Sequence, residues 1–177
     1  MGDRSLSDVQ RAELSAPAPI NPLHNLAAFD CGAPALDTWL QRRSLANENR
    51  FSRTFVVTEE NRVVGYYCLL AGSVQRALAP PKMRRNAPDP IPVIVIGRLA
   101  VTRSHAGRGL GRDLLADAFR RAALASRTLG VAAVLVQAKD ERARAFYLGA
   151  AEFLEYPAES RTLFLPMETL ADAVERS

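Results

Sequence analysis

Three glycines within five residues, Gly107, Gly109 and Gly111, form the segment of this sequence with the clearest chemical meaning. They follow an apolar run, rich in β-branched residues, that predicts a buried strand over residues 93–101. From Leu110 onward, apolar residues recur at helical spacing. A strand, a glycine-rich turn and a helix N-terminus make an anion site, because glycine lets main-chain N–H groups converge and the helix end is partly positive. We therefore predict a loop that holds a phosphate-bearing cofactor.

Two common phosphate-binding motifs do not fit this glycine-rich segment. A Walker loop needs a lysine followed by serine or threonine, and no lysine in the chain precedes either residue type. A Rossmann fingerprint needs the spacing Gly-x-Gly-x-x-Gly, whereas the spacing here is Gly-x-Gly-x-Gly. An ordinary helix start with flexible glycines is the alternative interpretation.

Basic residues are concentrated in the middle of the chain. The net charge is +4, but residues 41–112 contain thirteen Lys and Arg against four Asp and Glu, a balance of +9. Most of these basic residues are arginines, whose planar guanidinium suits phosphate recognition. We therefore expect a polyanionic substrate in addition to the cofactor, with a solvated basic face as the alternative.

The length and composition predict one globular domain after a short N-terminal segment. A polar and then proline-containing stretch over residues 1–22 predicts that this segment is flexible, and a single domain follows over residues 23–177. No apolar run approaches the ~20 residues that cross a bilayer, so we expect no membrane contact. Cys31 and Cys68 lack metal-ligand spacing, so we expect a cytoplasmic protein with free thiols and no metal site.

The remaining periodicity predicts an α/β fold around one mixed sheet. Trp39 falls on the apolar stripe of the first helix and is expected in the core. The proline-rich segment 77–92 is expected to form a basic loop without a packed element. The expected elements are a helix from Pro34 to about Leu45, strands over 54–58, 63–74 and 93–101, a helix from Leu110 to about Leu129, a strand over 131–138, a helix from Glu141 capped by Asp140, and strands over 152–156 and 161–166.

The segment Ala106–Gly111 resembles the pyrophosphate loop of the GNAT-type N-acetyltransferases, Gln/Arg-x-x-Gly-x-Gly/Ala. Ala106 departs from the pattern at its first position, where Arg108 can supply the charge instead. The order strand, loop, helix, strand, helix with Phe146 and Tyr147 also looks like this family, from about Phe29 to Met167. The resemblance implies the GNAT acyl-CoA N-acyltransferase fold, a single mixed central sheet flanked by helices, and acetyl-CoA as the cofactor.

The resemblance also implies roles for individual residues. The main chain near Leu99 and Val101 would pair with pantetheine, and the amides of Gly107–Gly111 would hold the pyrophosphate. Tyr147 would protonate the departing thiolate, with packing of the helix on the sheet as the alternative. His24 and His105 are poorly placed for a general base, and none is assigned. The residues expected to bind the cofactor are Leu99, Ala100, Val101, Arg103, Ala106, Gly107, Arg108, Gly109, Leu110, Gly111, Arg112, Ala143, Arg144 and Phe146.

A narrower likeness is to the TacT-like acetyltransferase toxins of type II toxin–antitoxin modules. It is carried by the segments Phe29–Gly32, Leu36–Leu40, Val64–Tyr67 and Phe164–Met167. The likeness implies acetylation of the α-amine of aminoacyl-tRNA, a block of translation, a homodimer, and a ribbon–helix–helix antitoxin through which operator DNA is bound. A tRNA substrate would agree with the basic middle of the chain, where Arg84, Arg85 and Arg98 are the expected contacts.

Two other functions stay open from the sequence. A GNAT enzyme of this kind could acetylate a small amine or a protein N-terminus. A catalytically silent CoA-binding module is the third possibility, and Ala106 at the first position of the loop is its best support.

Overall fold

The computed structural model of the chain describes residues 14–156 and 159–176. The described residues form a seven-stranded sheet in the order β1-β2-β3-β4-β5-β7-β6. Strands β4 and β5 run parallel, whereas β5–β7 and β6–β7 run antiparallel, so the sheet is mixed as predicted. The strands are β1 (Ala18–Pro19), β2 (Arg53–Glu59), β3 (Arg62–Val74), β4 (Ile91–Val101), β5 (Ala133–Gln137), β6 (Leu154–Tyr156) and β7 (Glu159–Pro166). The helices are α1 (Pro34–Arg42), α2 (Ser44–Asn47), α3 (Pro81–Arg84), α4 (Leu110–Ala125), α5 (Glu141–Ala150) and α6 (Met167–Glu175).

A two-residue turn joins β2 to β3. Glu60 and Asn61 both have positive φ, 49° and 69°. Two left-handed residues in a two-residue loop are the geometry whose twist matches that of antiparallel strands. The two strands expected over 54–58 and 63–74 therefore form a hairpin, and both are slightly longer than the β-branched runs indicated.

Part of the predicted flexible segment is hydrogen-bonded to the sheet. Strand β1 pairs antiparallel with β2, with Ala18 opposite Val56. On either side of β1, the N–H of Ser15 donates to the Thr58 carbonyl at 2.8 Å and the N–H of Ile20 donates to the Thr54 carbonyl at 2.9 Å. The periodicity of apolar residues cannot identify so short a strand, and its prolines are typical of turns and of sheet edges. Residues 1–13 of the predicted segment lie outside the described residues.

The described residues group into two compact units, each with an aromatic cluster in its core. The first contains the described residues up to Cys68 together with Arg98–Leu114, and the second contains Leu69–Gly97 and the described residues from Leu115 onward. In the first unit, Tyr66 contacts the rings of Phe29 and Trp39 at centroid distances of 5.4 and 6.0 Å. In the second unit, Phe153 contacts Phe119 at 6.1 Å and Tyr147 at 5.9 Å.

The ends of several elements differ from the sequence-based expectations. Helix α4 ends at Ala125 rather than near Leu129, because the next two N–H donors after Ser126 bond three residues back and tighten the chain into turns. The segment expected to lack packed elements contains α3 and a 3₁₀ turn over Arg76–Leu78. Helix α6 was not predicted, although Met167, Leu170 and Val174 have the spacing of a helical stripe.

Gly65 in β3 allows a close approach of α4. A Cβ atom at this position would lie 2.9 Å from Cδ1 of Leu114, whose side chain is fully buried, and 3.3 Å from Cδ2 of Leu110. We expect Gly65→Ala to lower the free energy of unfolding by about 1–3 kcal/mol, because overpacking must displace a buried side chain. Urea denaturation measures the change.

Gly149→Ala is the matched control for this substitution. A Cβ atom at Gly149 meets nothing within 4 Å, and the residue lies in α5. This variant should gain about 0.5–1 kcal/mol from the lower backbone entropy of the unfolded chain. Equal stabilities for the two variants would show that the approach of α4 to Gly65 is not tight.

Candidate active site

The end of β4 presents main-chain groups on the edge that faces away from β3. The N–H of Thr102 donates to the Val64 carbonyl of β3 at 2.9 Å. Because main-chain groups alternate along an extended strand, the N–H groups of Leu99 and Val101 point to the opposite edge. The register of β4 with β5 covers residues 93–96 of the described chain, and β4 continues to Val101. An extended ligand could pair with these last residues as an additional strand.

The loop after β4 is fixed to the segment that precedes α1. The hydroxyl of Thr102 donates to the carbonyl oxygen of Asp30 at 3.1 Å, and the N–H of Arg103 donates to the same oxygen at 2.8 Å. Residues 103–105 then form a 3₁₀ turn. The loop therefore leaves the strand in a defined direction.

Two glycines of the loop adopt left-handed backbone conformations. The φ angle is 76° at Gly107 and 83° at Gly109. A Cβ atom at either position would meet nothing within 4 Å. These glycines are therefore required by the backbone angle and not by lack of space.

The main-chain amides of this loop can hold an anion. In the part of the chain that the structure describes, no acceptor is paired with the N–H groups of Gly107, Arg108 and Gly109. The Gly109 carbonyl accepts the N–H of Asp113 at 3.1 Å, which places the loop at the N-terminus of α4. Free amides and the positive end of a helix suit a diphosphate. Ala106, Arg108 and Arg112 are exposed beside them, Gly111 is half-buried, and Leu110 is buried in the core.

His105 of the loop is buried and lies against a carboxylate of β2. Its Nε2 lies 3.1 Å from Oε2 of Glu59 in β2, and its Nδ1 lies 2.8 Å from the hydroxyl of Ser104. Glu59 is also 3.4 Å from the guanidinium of Arg62. A histidine in such a loop can either contact phosphate or have a structural role, and this burial against a carboxylate favours the structural role.

Arg98 stacks on an aromatic cluster. Its Cζ atom lies 4.3 Å from the centroid of the Trp39 ring, and this ring stacks on Tyr66 with an interplanar angle of 10°. Burial raises the pKa of Tyr66, and its hydroxyl donates to the Leu36 carbonyl at 2.8 Å. Trp39 is buried as predicted, and it also positions the guanidinium through a cation–π contact. This contact could not be predicted from the sequence, because the two residues are remote in the chain and no local pattern links them.

Arg103 is partly neutralised by an acidic partner. Its Nε lies 3.3 Å from Oδ1 of Asp30, and its side chain remains 68% exposed. Gly32 lies beneath the guanidinium, since a Cβ atom there would be 3.2 Å from Nε. Arg103 can therefore still reach a phosphate from its exposed side.

Helix α5 positions three of the expected cofactor-binding residues, Ala143, Arg144 and Phe146. Asp140 is its N-cap as predicted, with Oδ1 accepting the N–H of Ala143 at 2.8 Å. Arg144 pairs with Glu155 and lies 3.6 Å from Oε2 of Glu141. The amide of Ala143 and the charge of Arg144 are thus already engaged, which leaves packing as their main means of contacting a ligand.

Tyr147 is held by aromatic rings on two sides. The residue is 7% exposed, and its ring makes edge contacts with Phe146 at 5.3 Å and with Phe153 at 5.9 Å. Aromatic rings prefer such edge-to-face arrangements to face-to-face stacking. The Tyr147 ring is therefore packed into the aromatic cluster of its unit.

Arg84 and Arg85 are exposed at the end of α3. Two hydrogen bonds from Arg76 order the segment around them. The N–H of Arg76 donates to Oδ1 of Asp89 at 3.1 Å, and the guanidinium of Arg76 donates to the Ala87 carbonyl at 3.2 Å. The two guanidiniums of Arg84 and Arg85 are available to an anionic partner.

Residues 14–156 and 159–176 contain no candidate metal centre. This part of the chain has no group of three or more His, Cys, Asp or Glu side chains that could hold a metal ion. None of its helices combines the length and the apolar character needed to cross a bilayer.

Residues 20–150 match the model of the acetyltransferase (GNAT) family. A match over so much of the chain, together with the mixed sheet and the glycine loop, shows that the chain belongs to this family. It is therefore an N-acetyltransferase by family and fold.

Two known proteins, one of them in two solved structures, illustrate which members of the family this chain is similar to. A tRNA-acetylating toxin of Mycobacterium tuberculosis (strain ATCC 25618 / H37Rv) is 48% identical over 135 residues, which cover 76% of this chain and 81% of the toxin. The structure of AtaT complexed with acetyl-methionyl-tRNAfMet has a TM-score of 0.80 and 29% identity, covering 89% of this chain and 97% of AtaT. A tyrosine-to-phenylalanine mutant of the AtaT toxin, bound to the C-terminus of the antitoxin AtaR and acetyl-CoA, has a TM-score of 0.75 and 27% identity over 89% and 95% of the two chains.

Proposed function

We propose that this enzyme transfers the acetyl group of acetyl-CoA to the α-amine of aminoacyl-tRNA and acts as a translation-blocking toxin. The observation that carries the proposal is the 48% identity with a tRNA-acetylating toxin over three quarters of the chain. The fold shared with AtaT in complex with acetyl-methionyl-tRNA supports it further. We assign the activity to a single domain over residues 23–177.

The end of β4 and the glycine loop fit acetyl-CoA. We propose that the main chain of Leu99, Ala100 and Val101 pairs with the pantetheine arm, and that the free amides of Gly107 to Gly109 hold its diphosphate; the β4 residues beyond the register with β5 and the unpaired loop amides support this. Exposed Arg103, Arg108 and Arg112 would balance the phosphate charge. Ala106, Leu110 and Gly111 complete the turn, and Ala143, Arg144 and Phe146 of α5 would lie along the arm.

The chemistry needs two functions from the protein chain. Acetyl-CoA, when bound, supplies an acetyl group activated as a thioester. As the amine nitrogen bonds to the carbonyl carbon, the main-chain N–H groups of Leu99 and Val101 would stabilise the negative oxygen. As the C–S bond breaks, the Tyr147 hydroxyl would donate its proton to the sulfur. The ammonium proton passes to water, and no side chain is assigned as general base.

Basic residues would guide the polyanionic substrate. Arg84 and Arg85 are exposed, and Arg98 is oriented by the Trp39 ring at 4.3 Å. Each guanidinium that contacts a phosphate releases counterions, so binding should weaken as salt is raised. We propose these three arginines as tRNA contacts.

The proposed cellular setting is a type II toxin–antitoxin module in the cytoplasm. The chain would form a homodimer, be neutralised by a ribbon–helix–helix antitoxin, and meet operator DNA only through that antitoxin. The structure of AtaT with the C-terminus of AtaR supports an antitoxin partner for this fold.

Radiolabelled acetyl-CoA tests the proposed substrate. The purified enzyme is incubated with aminoacyl-tRNA, with deacylated tRNA, and with panels of small amines and N-terminal peptides. We expect label on the α-amine of aminoacyl-tRNA and not on deacylated tRNA. Label on small amines or peptides alone would favour a different acetyltransferase. Binding of acetyl-CoA in calorimetry without transfer to any acceptor would favour a silent CoA-binding module.

A further inference from the structure

The loop between α2 and β2 holds an aromatic ring in solvent on a rigid backbone. The N–H groups of Arg50 and Phe51 both donate to the Asn47 carbonyl, at 3.1 and 2.9 Å. Beyond the loop, Oε2 of Glu48 accepts the N–H of Thr54 at 2.8 Å. Phe51 is nevertheless 66% exposed. This exposure is therefore built into an ordered loop.

Arginines accompany this ring. Arg50 covers it, with Cζ at 5.2 Å from the centroid of Phe51. Residues 41–53 contain four arginines and one acid, Glu48, whose side chain is only 12% exposed. Its carboxylate accepts the N–H of Thr54 and lies 3.8 Å from the guanidinium of Arg53, so it offsets one of the four positive charges. The other three arginines are also exposed: Arg42, Arg43 and Arg53. The surface thus combines positive charge with a stacked guanidinium and phenyl ring, which we name the Arg50–Phe51 platform.

We propose that the Arg50–Phe51 platform binds RNA by stacking an unpaired base of the tRNA substrate, while the neighbouring arginines contact its phosphates. The proposal rests on the proposed function. Unpaired bases bind proteins by stacking on aromatic rings and guanidinium planes, largely without regard to sequence. Single exposed apolar residues are common on protein surfaces. Phe51 differs because its backbone is fixed, a guanidinium covers its ring, and the surrounding charge is positive.

Binding of uncharged tRNA, followed by fluorescence anisotropy, tests the platform directly. Phe51→Leu keeps an apolar side chain and removes the ring, so we expect about tenfold weaker binding. Phe51→Trp keeps a stacking surface and should bind within about threefold of wild type.

Arg50→Ala should reduce the slope of log affinity against log salt by about 1. Leu129→Ala is the matched control, since Leu129 is 55% exposed and lies away from the arginine-rich segment in the sequence.

Equal affinities for wild type and Phe51→Leu would overturn the proposal, and so would equal losses for Phe51→Leu and Phe51→Trp. A change in oligomeric state by sedimentation, with unchanged tRNA affinity, would assign the surface to a protein contact instead.

Kinetic measurements distinguish a failure of the platform proposal from a failure of the proposed function. With aminoacyl-tRNA, Phe51→Leu should raise KM about tenfold at constant kcat. With an aminoacyl ester of adenosine, which lacks the rest of the tRNA, the rate should match wild type within about twofold. A wild-type enzyme that acetylates no aminoacyl ester would refute the proposed function, while the anisotropy series would still test the platform. A wild type that acetylates aminoacyl-tRNA with the same KM as Phe51→Leu would refute the platform alone.

Discussion

Tyr147→Phe is expected to lower kcat for acetyl transfer about 100-fold or more while leaving the affinity for acetyl-CoA unchanged. The substitution removes only the hydroxyl that would protonate the leaving thiolate, and general acid catalysis contributes a factor of this size. Phenylalanine keeps the ring contacts with Phe146 and Phe153, so the fold should be preserved. Steady-state kinetics with aminoacyl-tRNA give kcat, and calorimetry gives the affinity for acetyl-CoA.

A second tyrosine of the same unit provides the control. Tyr156 in β6 is half-buried and is not assigned to the site. Tyr156→Phe should retain kcat within about twofold. If Tyr147→Phe turned over as fast as this control, or were equally toxic when expressed, Tyr147 would be a packing residue and not the acid.

Gly109→Ala is expected to raise KM for acetyl-CoA about tenfold, with a smaller effect on kcat at saturation. At φ 83° a side chain strains the backbone by roughly 1–2 kcal/mol, and relief of that strain would turn the loop amides away from the diphosphate. The added Cβ meets nothing within 4 Å, so steric damage to the core is not expected. Kinetics at varied acetyl-CoA measure KM, and thermal denaturation checks the fold.

Gly130→Ala separates this effect from a general loss of glycine. A Cβ atom at Gly130 would also meet nothing within 4 Å, but the backbone φ there lies outside the left-handed region. Its KM for acetyl-CoA should stay at the wild-type value. A KM for Gly109→Ala equal to that of Gly130→Ala would show that the loop amides do not depend on the left-handed angle.

The glycine loop was predictable because its signal is local. A β-branched run, spaced glycines and a helical stripe follow one another within the segment 93–122, and each element depends on its immediate neighbours. The Asp140 cap was predictable for the same reason, since a cap bonds only to the first turn of its own helix.

Contacts between remote segments could not be predicted in the same way. The stacking of Arg98 on Trp39 and the burial of His105 against Glu59 depend on how β4, α1 and β2 pack. Short elements were also missed, because two residues of β1 carry no periodicity. Helix α6 is different, since its apolar spacing is visible in the sequence and could have been predicted.

The two outermost strands restrict how copies of this chain can associate. Strand β1 has two residues, one of them Pro19, which has no N–H to donate, and β6 has three residues. So little unpaired main chain gives an incoming strand few hydrogen bonds, which discourages polymerisation by strand addition. We therefore expect the proposed homodimer to be held by side chains rather than by a sheet that continues from one copy into the next.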